Sequence, residues 1–185
     1  VYYETGAPSV FKYEEVPDPV CHPGGVVIDV KAIGIQGGDT LNRQGGMIAS
    51  RPHVVSYQAS GIIKQVGDRV TDRHVGDRVV ATMAFGSHAE LASVPAGSTY
   101  LLPASLSFES AAGVPIEFGT AADCLFEFGH LQPGETVLVQ AGGGGVGLAA
   151  IQLAKRAGAT VLATASSDDK LERLTDMIER LAARV

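Results

Sequence analysis

The pattern of apolar and polar residues changes character near Leu102–Pro103. Before that point apolar residues recur in short runs with a period close to two, as expected of strands whose successive side chains face opposite ways. Gly24–Gly34 (GGVVIDVKAIG) sets Val26, Ile28 and Val30 against Val27, Asp29 and Lys31. Ser60–Val66, Val75–Ala81 and Ser87–Val94 read as further strands. The pentapeptide Val-Gly-Asp-Arg-Val occurs at Val66–Val70 and again at Val75–Val79. Both Gly-Asp pairs suit turns between antiparallel strands, and neither marks a functional repeat. Many short strands with regular turn signals predict a partly closed β-barrel.

Beyond Pro103 the period lengthens. Ser107 is a candidate N-cap for a short helix holding Glu109, Ala111 and Ala112, and Gly119–Phe128 reads as a second helix that exits through Leu131–Gly134. An apolar run, Thr136–Gln140, then enters a turn of four consecutive glycines. A helix follows with Leu148, Ile151, Gln152 and Lys155 at helical spacing and Gly158 as its C-terminal stop. A second β-type run, Thr160–Ala165, completes a strand–turn–helix–strand unit, and Asp168–Val185 reads as one or two helical pieces. The fold class is therefore α/β plus β, with domains at 1–113 and 114–185.

Within the turn, Gly142, Gly144 and Gly147 stand in G-x-G-x-x-G spacing. The first glycine permits a tight turn, the second lets phosphates approach the backbone, and the third lets helix and strand pack closely. Gly145 and Val146 open the helix, whose N-terminus would receive a pyrophosphate. The alternative is a plain crossover whose glycines serve packing alone. Four glycines in a row cost chain entropy that packing alone does not require. A doubly wound sheet also needs several more βα units than one. The expectation is that the polypeptide continues further or that segments are missing, with Leu174–Thr175 a place for such a seam. Val1 is not an initiator methionine, so a few preceding residues are expected as well.

Composition narrows the classes. The chain has 185 residues, 45% of them hydrophobic, and a formal net charge of −6. Its Lys and Arg are scattered, which argues against nucleic acid and anionic membrane surfaces as partners. No apolar run is long enough to span a bilayer, and no signal peptide opens the chain. Two distant cysteines, Cys21 and Cys124, make no disulfide framework, which points to a reducing cytoplasm. The five histidines (His22, His53, His74, His88, His130) show no metal-binding spacing.

The segments AIGIQGGDTLNRQG, YQASGIIKQVG, VGDRVVA, SHAEL, LPASLSFESAAGVP, the GTA triplet and VQAGGGGVGLAAIQLAKRAGATVLATASS follow one another in order. This order resembles the medium-chain dehydrogenase/reductase superfamily, and its zinc-free quinone oxidoreductase branch most. The resemblance implies a chaperonin-10-like barrel domain, then an incomplete Rossmann domain, with the active site in the cleft between them. Full-length relatives often dimerise, so a homodimer is expected of the complete protein. Where the alcohol dehydrogenase branch holds zinc with Cys, His and Cys, this chain has Gln36, Tyr57 and Ile116, with Gln58 at a nearby glutamate position. None of these is a zinc ligand. Without a Lewis acid, the accessible acceptors are those already activated toward hydride, namely quinones and α,β-unsaturated carbonyls.

NAD-selective domains carry an acid at the end of the second strand for the ribose 2′-OH. Here that strand ends in Thr164-Ala165-Ser166-Ser167. By resemblance, Ser166 and Lys170 match 2′-phosphate-binding positions, and a hydroxyl with an ammonium suits a phosphate. NADPH is the expected cofactor. Asp168 is the counter-signal, since it lies near the NAD fingerprint distance. The resemblance also places Gln36 and Tyr57 at the nicotinamide and acceptor end, with Thr120 against the nicotinamide. Gln36 could instead anchor its loop, Tyr57 could be barrel core, and Thr120 could be a helix cap. Arg43 is expected to pair with Asp39 or face solvent. Leu41 replaces a tyrosine that serves some enoyl-reducing relatives as proton donor. The reading is an NADPH-dependent reductase of quinones or enones. The alternatives are an acyl-chain enoyl reductase and a catalytically weak NADPH-binding protein of crystallin type.

Overall fold

The computed structural model describes residues 1–182. The chain divides into two compact units, Val1–Pro115 and a second that begins at Ile116. In the first, strands β1 (Gly25–Ile33), β2 (Gln58–Val66), β3 (Arg78–Thr82), β4 (Leu91–Pro95) and β5 (Thr99–Leu101) form one antiparallel sheet in the order β4-β1-β2-β3-β5. The sheet is open among the described residues, with β4 and β5 as its edges, and so is not a closed barrel. Val26 and Ile28 of β1 meet Ile63, Val79, Ala81 and Val94 in the core, all at most 2% exposed. That is the face the period-two pattern assigned to apolar residues.

Two strands begin later than the pattern suggests. Val75–Asp77 is a turn in which the Asp77 carboxylate accepts from the His74 N–H (2.8 Å), and Gly76 has φ +96°. Ser87–Glu90 is irregular, and its first two N–H groups donate to Ser56 O and Val55 O, both at 3.1 Å. The helix α1 (Gly37–Gly45) lies between β1 and β2. The short helix α2 (Phe108–Ala112) starts at Ser107, whose hydroxyl accepts from the Ser110 N–H at 3.1 Å.

The second unit holds α3 (Pro115–Ala122), β6 (Thr136–Val139), α4 (Gly145–Arg156), β7 (Thr160–Ala163) and α5 (Asp168–Ala182). The helix expected over Gly119–Phe128 is two elements. Helix α3 gives way to a π-helical segment, Asp123–Phe128, which ends where His130 takes φ +48°. Strands β6 and β7 pair in parallel, Thr136 with Thr160 through Val139 with Ala163. Helix α4 buries Ala149, Ala150, Ile151 and Ala154 against Val139, Ala159 and Leu174. It stops where Gly158 adopts φ +82°, a conformation glycine takes without a Cβ penalty. Helix α5 runs unbroken through Leu174–Thr175, and Leu174 is buried at 3% exposure. No helix among the described residues is long and apolar enough to cross a membrane.

Candidate functional site

The glycine turn joins β6 to α4, and Thr164, just past β7, holds it together. Thr164 O accepts from the Gly142 N–H at 2.7 Å, and Thr164 Oγ1 accepts from the Ala141 N–H at 3.2 Å. Ala141 O in turn accepts from the Gly144 N–H at 2.9 Å. The N–H groups of Gly142 and Gly144 are thus committed inside the turn. The first intrahelical bond of α4 runs from the Leu148 N–H to Gly144 O at 2.8 Å. The N–H groups of Gly145, Val146 and Gly147 therefore have no carbonyl within the helix to bond. They stand at the positive end of the helix dipole, as an anion site requires.

The left-handed residue of the turn is Ala141, at φ +54°, and not a glycine. Gly147 is needed for close approach: a Cβ there would lie 2.5 Å from Ala141 O and 2.7 Å from Gly142 Cα. Gly142 makes room for side chains, since a Cβ there would lie 3.0 Å from Leu174 Cδ1 and 3.1 Å from Ala163 Cβ. A cavity of about 420 Å³ opens beside the turn, lined by Gly143, Gly144, Thr164, Ser166 and Lys170. Lys170 Nζ donates to Ser166 Oγ at 3.1 Å, and both residues are exposed. Glu117 of α3 also packs near the turn, its Cγ 3.0 Å from where a Cβ of residue 145 would stand. Neither Thr164 nor Glu117 stands out in the sequence as a site residue. The Thr-Ala-Ser-Ser run at the end of β7 was the available signal for Thr164.

In the first unit, Gln36 and Tyr57 lie on either side of α1. Gln36 caps α1 in a capping box: its backbone N–H donates to Asp39 Oδ2 at 3.1 Å, and its side chain turns back to the Asp39 N–H. Loop anchoring is therefore one duty of Gln36, which is 9% exposed. The Tyr57 hydroxyl sits over Gly38, where a Cβ would lie 2.7 Å from it. Tyr57 lines a cavity of about 230 Å³ together with Tyr2, Asp39, Met47, His53 and Phe85. Beside Tyr57, Ser56 has φ +69° and its hydroxyl donates to Gly34 O at 3.2 Å. Thr120 lies within α3 and is exposed, so it is not the cap of that helix.

Arg43 departs from expectation. It is 7% exposed and makes no ion pair with Asp39 among the described residues. Its guanidinium carbon lies 5.8 Å from the Phe11 ring centroid. The aromatic segment at the start of the chain draws the cation away from solvent, a long-range contact that spacing along α1 does not reveal.

Burial lowers the pKa of His53 below 6.5, opposed by the nearby Asp39 carboxylate. His88 is lowered for the same first reason. Burial raises the Tyr2 hydroxyl above 10.0, and Asp39 adds to the rise. Among the described residues, no three His, Cys, Asp or Glu side chains group to hold a metal ion.

Residues 22–104 match the alcohol dehydrogenase GroES-like domain. The chain belongs to the medium-chain dehydrogenase/reductase superfamily, in its quinone oxidoreductase-like branch. The synaptic vesicle membrane protein VAT-1 homolog of Danio rerio is 41% identical over 152 residues, covering 80% of this chain and 31% of the relative. The Escherichia coli quinone oxidoreductase complexed with NADPH superposes with a TM-score of 0.90 at 32% identity, covering 95% of this chain and 54% of that one. The CurK enoyl reductase gives a TM-score of 0.89 at 30% identity, covering 95% and 56%. The chain thus spans about a third of the first relative and just over half of the two structures.

Proposed function

We propose that the protein containing this chain is an NADPH-dependent oxidoreductase that delivers hydride to a quinone or another α,β-unsaturated carbonyl acceptor, without zinc. The observation that carries the reading is the glycine turn with the Ser166–Lys170 pair at one cavity. The donor set suits a phosphate-bearing dinucleotide. Gly145, Val146 and Gly147 offer N–H groups to a pyrophosphate, and Gly143 and Gly144 leave the backbone approachable. Gly142 shapes the turn from beneath. Ser166 and Lys170 offer a hydroxyl and an ammonium to a 2′-phosphate, a charge-assisted pairing a bare ribose hydroxyl does not earn.

When bound, the nicotinamide supplies the hydride. The chain's own tasks are to hold the cofactor and to bind and orient the acceptor oxygen on which charge develops. We assign the cofactor end to Thr120 and the acceptor end to Gln36 and Tyr57. The Tyr57 hydroxyl is an O–H donor beside a cavity of ring size, and Gln36 positions it through the α1 cap that carries Gly38. The similarity to the E. coli enzyme crystallised with NADPH supports the cofactor assignment.

An enoyl reductase is the second reading, favoured by the similarity to CurK. Leu41, which is 68% exposed, supplies no proton where some such relatives use tyrosine. NADPH oxidation by the full-length protein, assayed with a small quinone panel and with an acyl-chain enoyl thioester, separates the two. Turnover of the thioester alone moves the assignment to enoyl reduction. Cofactor binding with no turnover on either moves it to a non-catalytic nucleotide-binding role.

A further inference from the structure

Helix α4 brings no negative charge of its own to its N-terminus. Its N-cap is Gly144, which has no side chain to accept a hydrogen bond, and its first turn holds no acidic residue. Asp and Glu are favoured at such positions because the unbonded N–H groups and the helix dipole attract negative charge. Here the charge comes from another helix of the same unit. Glu117, in the first turn of α3, sets its Cγ 3.0 Å and its Oε1 3.8 Å from where a Cβ of residue 145 would stand. Glu117 is half-buried, and a carboxylate partly withdrawn from water acts more strongly on its neighbours than an exposed one.

On the other flank of the turn the sign reverses. Lys170 Cδ lies 3.4 Å from where a Cβ of residue 143 would stand. The turn therefore has a cation beside Gly143 and an anion beside Gly145. Phosphate charge gains from the first and is opposed by the second. We propose that Glu117 is a built-in competitor of the cofactor: its carboxylate answers the positive end of α4 in the empty protein and gives way when a pyrophosphate takes the N–H groups of Gly145, Val146 and Gly147. The proposal deepens the dinucleotide reading above and rests on it. Glu117 then has two effects of opposite sign. It stabilises the empty second unit by meeting the helix dipole, and it weakens binding by opposing the incoming charge. NADPH and NADH carry the same pyrophosphate, so the penalty falls on both alike. Lys170, on the opposite flank, acts on the 2′-phosphate and separates them. Overall affinity and cofactor choice are thereby set by different residues around one turn.

Glu117→Gln keeps the size of the side chain and removes its charge. Titration calorimetry on the full-length protein with NADPH, NADH and inorganic pyrophosphate tests the proposal, together with the melting temperature of the empty protein. Glu117→Gln is expected to bind all three roughly three- to thirtyfold more tightly than wild type, the range of a charge at a helix end. The ratio of NADPH to NADH affinity is expected to hold, and the empty variant to melt lower. Glu117→Ala, which places a strong helix former in α3, is expected to show the same gain, so the result does not hang on one variant. A glutamate that serves only to stabilise the helix would lower the melting temperature with no gain in affinity. Nucleotide binding equal to wild type overturns the proposal and leaves the dinucleotide reading intact. Weaker binding of both nucleotides also overturns it, and would mean that Glu117 accepts a hydrogen bond from the bound cofactor. If neither protein binds a nucleotide, the dinucleotide reading falls. Tighter pyrophosphate binding by Glu117→Gln would in that case leave Glu117 standing as a competitor for anions, whereas no pyrophosphate binding by either protein removes both.

Discussion

The glycine turn and the Tyr2–His53 cavity handle polar groups in opposite ways. In the turn, Thr164 satisfies the inner N–H groups and the helix end presents three more outward. Beside the cavity, the Tyr2 hydroxyl and His53 Nδ1 are buried and left unmet. The turn is a finished surface suited to an anion, whereas Tyr2 and His53 keep their unmet atoms closed off inside the first unit. The turn is also local, built within Val139–Lys170. The cavity gathers residues 2, 39, 53, 57 and 85 from four stretches of chain.

The largest effect expected on this contrast comes from Gly147→Ala. A methyl group there meets backbone, which cannot swing aside as a side chain does. The second unit should lose about 3 kcal/mol or more of stability, read from denaturant unfolding, and NADPH binding should vanish. NADPH binding retained at wild-type strength would mean that the turn absorbs the methyl group.

Next is Lys170→Ala. A charge-assisted hydrogen bond is worth roughly 1.5–3 kcal/mol, so NADPH affinity should fall about ten- to a hundredfold while NADH affinity stays level. An equal loss for both cofactors would mean that Lys170 serves α5 and not the 2′-phosphate.

These two predictions rest on what local pattern makes legible. Ser107 as a cap, Gly158 as a helix stop and Gly147 as a close-approach residue all follow from neighbours in sequence, because caps and turns are decided within a few residues. The strand core of Val26 and Ile28 follows from period two. The start of β3 was less legible, because Val75 continues the apolar pattern while Gly76-Asp77 makes the turn. Arg43 beneath Phe11, and Tyr2 bridged to His53, depend on the path of the first dozen residues, which have no regular period. Thr164 reads as an ordinary strand-end residue until its hydrogen bonds are drawn.

A third test changes pH. His53 has a folded pKa lowered by burial, so the unfolded chain binds its proton more readily. The stability this contributes is fully present above about 6.5, the ordinary histidine value, and is lost as pH falls below it toward the folded pKa. His88 acts in the same direction. Unfolding free energy should decline as pH falls from 7.5 to 5.5, and His53→Phe should flatten the decline in part. An unchanged slope would mean that His53 is hydrated in the folded state.

The smallest effect lies in the turn itself. Ala141 is exposed and holds φ +54°, a conformation that costs an L-residue roughly 1–2 kcal/mol. Its methyl group contributes little burial in exchange. Glycine takes that φ without strain but loses more entropy on folding. The two terms leave Ala141→Gly stabilising by about 0.5–1 kcal/mol, seen as a small rise in melting temperature. The hydrogen bonds from Ala141 and Gly142 to Thr164 are unaffected by the change, so NADPH affinity should hold if they alone set the turn. A higher melting temperature with weaker NADPH binding would instead mean that strain at Ala141 keeps the N–H groups of Gly145, Val146 and Gly147 in line. The turn would then resemble the Tyr2–His53 pair after all, in carrying a cost built into the folded protein.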